Sequence, residues 1–172
     1  GDHYRFYDIN SAVVDIANRD FAYLGESEAT IDVELGDARL TLEREPPQRF
    51  DVLAIDAFSS DAIPVHLITD EALKVYRRHM KPGGVIAFHV TNRFLDLVPV
   101  VDALAKANGL SAVWIADDGE ADIASRSDWM LLSDDPESLT REGLSEAAKP
   151  IVPRPDWRLW TDDFNNLVQV LK

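Results

Sequence analysis

No cysteine occurs in the chain, which excludes disulfide staples and thiolate metal ligands and fits a reducing compartment. No apolar run approaches the roughly 18 residues that argue a membrane span, so the sequence reads as a soluble domain. Basic residues are scarce. Seventeen Lys and Arg stand against 31 Asp and Glu, a net charge of −14 that repels phosphate backbones and anionic lipid heads. Nucleic acid is therefore not expected as a partner, and a cationic ligand is. His66, His79 and His89 lack the paired spacing of a metal site and His3 is terminal, so no metal is expected either. Internal repeats and low-complexity segments are also missing.

What is present is an alternation of strand-like and helix-like segments. With 172 residues and 46% hydrophobic content, residues 1–172 are long and apolar enough to form one domain with a sizeable core. Tyr4-Arg5-Phe6-Tyr7 is strand-like and closes in Asp8-Ile9-Asn10. Val13, Val14, Ile16, Ala17 and Phe21 then recur at helical spacing, with Asn10 or Ser11 as cap. Thr30 to Leu35 alternates and stops at Gly36-Asp37, and Ala38 to Glu43 reads as a short helix. Phe50 to Ile55 is apolar but for Asp51 and ends at Asp56, the pattern of a central strand covered on both faces. Thr69 caps a predicted helix over 70–80, which Lys81-Pro82-Gly83-Gly84 stops. Strands follow over 85–90, 110–116 and 129–133. A helix over 97–108 lies between the first two, with Pro99 in its first turn and Gly109 at its end. One more helix is predicted within 135–149. This alternation predicts an α/β fold, a mainly parallel doubly wound sheet with helices on both faces.

Such sheets bind ligands outside the carboxyl ends of their strands, and Asp8, Asp37 and Asp56 all fall at such ends. A carboxylate there can accept both hydroxyls of a ribose, which suits Asp8; it can equally favour the dipole of the helix that starts at Ser11. Asp37, after the turn at Gly36, can reach an adenine amino group or serve as an ordinary strand-ending cap. The loop Asp56-Ala57-Phe58-Ser59-Ser60-Asp61-Ala62-Ile63-Pro64 carries two carboxylates five residues apart on a path of small residues. Paired carboxylates can hold an ammonium group, and one can draw a proton from an amine so that its lone pair attacks an electrophilic carbon. The alternative is that Asp56 caps the following turn and Asp61 is solvated. His66, His79 and His89 read as packing or surface residues.

These stretches resemble the spermidine synthases and related polyamine aminopropyltransferases. The matching residues are Phe6-Tyr7-Asp8-Ile9-Asn10, Gly36-Asp37-Ala38, Phe50 to Asp56 with the loop through Pro64, Met80-Lys81-Pro82-Gly83-Gly84-Val85, and Trp160-Thr161-Asp162-Asp163. The resemblance implies a Rossmann-like fold of the S-adenosylmethionine-dependent methyltransferase type. It implies Asp8 on the ribose, Asp37 with Ala38 at the adenine, Pro64 beside the thioether and Asp56 as proton acceptor, with Asp56 and Asp61 holding the amine substrate. It also implies decarboxylated S-adenosylmethionine, or S-adenosylmethionine itself, as co-substrate. The likeness is nearest to bacterial spermidine-synthase-like domains fused to a membrane-transporter-like region, so the parent is expected to carry such a region with this domain in the cytoplasm. That family opens its nucleoside site with a glycine-rich turn after a first strand. The chain starts beyond that point, so an N-terminally incomplete domain and a homo-oligomer covering its sheet are expected.

Three functions compete at this stage. The first is aminopropyl transfer to a diamine such as putrescine. The second is methyl transfer from S-adenosylmethionine, in which Asp56 need not be a base. The third is a non-catalytic regulatory domain that binds polyamines or a nucleoside.

Overall fold

Local signals account for most of the elements seen in the computed structural model, which describes residues 1–57, 64–117, 119, 126–141, 143–154 and 157–172. Asp61 lies outside the described residues. The chain divides into two compact units, Gly1–Pro46 and Pro47–Lys172.

The first unit holds β1 (His3–Asp8), α1 (Ser11–Asp20), β2 (Thr30–Leu35) and α2 (Ala38–Arg44). β1 and β2 pair in parallel, from His3 opposite Thr30 to Asp8 opposite Leu35. Asn10 caps α1 by accepting from the Ala12 amide at 3.0 Å, the role one of the two predicted candidates was to fill. No residue of α1 is buried, so its apolar spacing faces solvent in this unit. A polar network does more of the holding: Arg5 Nε donates to the Tyr7 hydroxyl at 3.0 Å, and that hydroxyl donates to Glu45 Oε2 at 2.8 Å. Burial first, then the bond to Glu45, pushes the Tyr7 phenol up to about 12.

The second unit holds β3 (Phe50–Ile55), α3 (Asp70–Arg78), β4 (Met80–His89), α4 (Val98–Ala107), β5 (Ser111–Asp117), β6 (Ser127–Ser133), α5 (Leu144–Ala147) and β7 (Ala148–Lys149). Its strands form one sheet in the order β3-β4-β6-β5-β7. β3 and β4 are parallel, joined through α3, whereas β4–β6, β5–β6 and β5–β7 are antiparallel. The α/β class and its central sheet are as expected, with a smaller parallel share than the alternation suggests. The physical reason is the 118–126 connection, which is shorter than the dozen or more residues a parallel crossover needs. Leu73 and Tyr76 on α3, Phe88 on β4, Val101 and Leu104 on α4 and Met130 on β6 form the centre of the core, each 1% exposed or less.

Two predicted boundaries move. β4 begins at Met80 and runs through Lys81-Pro82-Gly83-Gly84, the residues expected to stop the preceding helix. The register shifts there, Phe50 facing Met80 and Val52 facing Val85, so the proline and glycines sit in an irregularity of the ladder where a missing amide donor is tolerated. A side chain at Gly84 would be crowded: a Cβ would lie 2.9 Å from Met80 Cε and 3.1 Å from the Phe50 carbonyl. The helix predicted within 135–149 breaks into a 3-10 turn (Pro136–Leu139), α5 and β7. Asp135 caps the turn by accepting from the Glu137 amide at 3.0 Å, and Gly143 at φ 89° precedes α5 as a separate start. Among the described residues, no helix is long and apolar enough to cross a membrane.

Candidate functional site

β3 and β4 run side by side with Ile55 opposite Phe88. The next residue on each strand, Asp56 and His89, therefore emerges at the same carboxyl edge of the sheet, and the two side chains meet: His89 Nδ1 lies 2.7 Å from Asp56 Oδ1. The Asp56 side chain is 56% exposed and the imidazole 22%. Beside them is a shallow depression whose walls include Ile55, Ala57, Pro64, Leu67, Phe88 and His89. Pro64, expected at the thioether side of a nucleoside, thus shares this depression with the histidine that holds Asp56. A carboxylate with one oxygen bonded and the group half in water keeps acceptor capacity for a proton or an ammonium group.

The descending arm of the Asp56 loop is fastened from a distance. Pro64 starts a 3-10 turn by accepting from the Leu67 amide at 2.9 Å, and Thr69 then caps α3 through the Ala72 amide, as predicted. The Thr69 hydroxyl also donates to Asp162 Oδ1 at 2.8 Å, the Asp162 amide donates to Glu71 Oε2 at 2.9 Å, and the Asp70 amide donates to the Trp160 carbonyl at 3.0 Å. The Trp160-Thr161-Asp162 stretch therefore clamps the first turn of α3. Trp160 is wholly buried. On α3 itself, burial would raise the Asp70 carboxyl, but hydrogen bonds from Lys74 and Asn108 outweigh it and hold that group below its ordinary value.

The nucleoside candidates lie in the first unit. Asp8 ends β1 and its Oδ1 accepts from the Asn10 amide at 2.7 Å. The Gly36 amide donates to the Asp8 carbonyl at 2.8 Å, so Asp8 and the Gly36-Asp37 turn share one edge of the parallel pair. Gly36 has φ 146°, and a Cβ there would lie 3.2 Å from Thr41 Oγ1. Asp37 Oδ1 accepts from the Leu40 amide at 2.9 Å and is the N-cap of α2, with half-buried Ala38 as the first helical residue. Each aspartate thus gives an oxygen to a backbone amide, and for Asp37 this is the capping role the sequence left open beside ligand binding.

Sequence reasoning missed His89. Its one available signal was position: it closes the strand that follows α3, and parallel neighbours joined by a helix end on the same side. His79, by contrast, is a packing histidine as expected, fully buried, with Nδ1 accepting from the Gln48 amide at 3.3 Å.

Strands alternating with helices, as in both units, belong to the Rossmann-like class of architecture, in which ligands bind outside the carboxyl ends of the strands. No family model matches the chain. Over 94 residues it is 35% identical to a polyamine aminopropyltransferase of Vibrio vulnificus, a match that covers 54% of this chain and 30% of that protein. The spermidine synthase of Thermotoga maritima superposes with a TM-score of 0.58 over 92% of this chain and 54% of that one, at 10% identity. Human methyltransferase-like protein 13, solved in complex with SAH, gives 0.55 over 89% of this chain and 74% of that one, at 16% identity. The expected resemblance to polyamine aminopropyltransferases is borne out in sequence, and the fold is that of the spermidine synthases and methyltransferases. The chain spans less than a third of the length of the curated relative it matches.

Proposed function

We propose that the complete protein transfers an aminopropyl group from decarboxylated S-adenosylmethionine to a diamine such as putrescine, with Asp56 accepting the proton of the amine. The observation that carries this reading is Asp56 itself, half exposed at the carboxyl end of β3 beside an apolar depression, in a chain that is 35% identical to an aminopropyltransferase over 94 residues. When bound, the donor supplies a sulfonium whose adjacent propyl carbon is electrophilic. The amine nitrogen gives its lone pair to that carbon, the carbon–sulfur pair passes to sulfur, and the displaced proton goes to Asp56. The chain is acidic, which favours both cations.

The reading assigns the ribose to Asp8, the adenine to Asp37 with Ala38, the thioether side to Pro64 and the second ammonium group to Asp61, with the two units acting as one domain. Two features of the first unit support a nucleoside there. The Asp8 side chain uses one oxygen on the Asn10 amide and makes no other hydrogen bond among the described residues, leaving acceptor capacity for hydroxyls. Gly36 keeps the neighbouring backbone without a side chain where a ring would approach. Cytoplasmic placement, a homo-oligomer and a parent joined to a membrane-transporter-like region belong to the same reading and rest on the sequence resemblance alone.

The complete protein, given putrescine and either decarboxylated or ordinary S-adenosylmethionine, decides the chemistry. Mass spectrometry is expected to show spermidine and methylthioadenosine in equal amounts from the decarboxylated donor. Methylated product with no spermidine would replace the reading by a methyltransferase, and tight amine binding by calorimetry without turnover would replace it by a regulatory domain.

A further inference from the structure

The ends of β3 and β4 and the start of the antiparallel β6, three adjacent strands, bring together a row of side chains that ties Asp56 to the sheet. His89 meets Asp56 Oδ1 through Nδ1 at 2.7 Å. On its other side His89 faces Trp129 in register across β4 and β6. The two rings stack with centroids 4.8 Å apart and 26° between their planes. The indole is fixed in turn, its Nε1–H donating to Ser127 Oγ at 2.8 Å. Two lone pairs do not face each other at 2.7 Å, so a proton lies between Nδ1 and Oδ1, and in the neutral ring Nδ1 carries it. Asp56 Oδ2 has no hydrogen bond among the described residues.

We infer that His89, held flat against Trp129, is a positioning residue for Asp56: its Nδ1–H fixes Oδ1 and leaves Oδ2 as the atom that takes the proton of the attacking amine. This rests on the aminopropyl-transfer reading above. A half-exposed aspartate left to itself visits several staggered rotamers, and an acceptor displaced by an ångström loses much of its reach. The imidazole bond removes that freedom. In the step itself one N–H bond of the amine breaks, its electron pair stays on nitrogen for attack, and the proton joins Oδ2 while Nδ1–H stays on Oδ1. No oxidant or further reactant takes part.

Two measurements on the complete protein test this. Nitrogen-15 spectra of the histidine rings at alkaline pH are expected to show His89 with its proton on Nδ1, and Asp56→Ala is expected to move that proton to Nε2. A ring that carries its proton on Nε2 in both proteins overturns the inference, whatever reaction the protein performs. In steady-state kinetics His89→Ala is expected to lower kcat roughly 10- to 100-fold with little change in the KM for the amine. His89→Asn, whose side-chain NH2 can donate to Oδ1, is expected to recover most of the loss. A loss confined to KM, or an asparagine variant no better than alanine, contradicts a positioning role. If the complete protein transfers no aminopropyl group, the proposed function fails, and the ring spectra still decide the His89–Asp56 bond; they do so equally if His89→Ala does not fold.

Discussion

The two units of the chain are held by different forces. In residues 47–172, aliphatic and aromatic side chains from helices and strands pack around a mixed sheet, and residues such as Leu73, Tyr76 and Leu104 reach zero exposure. In residues 1–46, only Leu42 and Arg39 are buried, while Tyr4, Phe6, Ile9, Val13, Ile16, Phe21 and Tyr23 stand exposed around a two-stranded parallel pair. Parallel strands are ordinarily covered on both faces, and two strands alone are marginally stable. The second unit therefore gains its stability from apolar burial, and the first depends far more on hydrogen bonds and caps. The catalytic candidate Asp56 belongs to the firmly built unit, and the nucleoside candidates Asp8 and Asp37 to the sparsely built one.

Substitutions can sharpen or break that contrast. The largest effect is expected from Leu104→Ala in α4, which leaves a cavity in the core of the second unit and lowers the unfolding free energy by about 2–5 kcal/mol in urea denaturation. A change below ~1 kcal/mol would mean that the core is looser than its burial indicates. Thr69→Ala removes the α3 cap and the bond to Asp162, at a cost of roughly 1 kcal/mol in the same measurement. An unchanged midpoint would show that the Trp160-Thr161-Asp162 clamp contributes nothing.

The pH response should also separate the units. Tyr7 in the first keeps its proton up to about 12, whereas in the unfolded chain it ionises near 10. Its contribution is fully present below that ordinary value and is lost as pH rises toward about 12, so Tyr7→Phe should flatten the alkaline limb of stability. Asp70 in the second unit is depressed, despite burial that would raise it, by Lys74 and Asn108. Its contribution is present above the ordinary carboxyl range and is lost as pH falls through its own lower value, so Asp70→Asn should flatten the acid limb. Chemical denaturation across pH reads both, and limbs unmoved by the substitutions would contradict the assignments. The smallest effect is expected at Val13→Ala, which is 47% exposed and should change stability by no more than about 0.5 kcal/mol. A loss of several times that amount would show α1 covered by something other than solvent.

Much of this was legible because local chemistry wrote it. Asn10, Thr69 and Pro99 announce helix starts through their caps and fixed φ, and the apolar run at 50–55 announces a strand. Pro82-Gly83-Gly84 misled because their turn chemistry is absorbed by an irregular ladder that only the partner strand reveals. The expected helix within 135–149 gave way because Pro136 and Gly143 punctuate it. At the candidate site, Asp56 is visible from its place after an apolar strand. His89 is not, since its bond to Asp56 spans 33 residues and depends on two parallel strands ending level, a relation that periodicity along the chain does not carry. The backbone duties of Asp8 and Asp37 were equally hidden, because a carboxylate that caps and one that binds a sugar occupy the same position in the sequence.

The most direct test of the account is the single-turnover rate of aminopropyl transfer to putrescine by the complete protein carrying Asp56→Asn, which keeps the shape of the side chain and removes its basicity. The account predicts a fall of roughly 10²- to 10⁴-fold, with nucleoside binding and the unfolding midpoint unchanged; a rate within about twofold of the unaltered protein would show that Asp56 does not accept the proton.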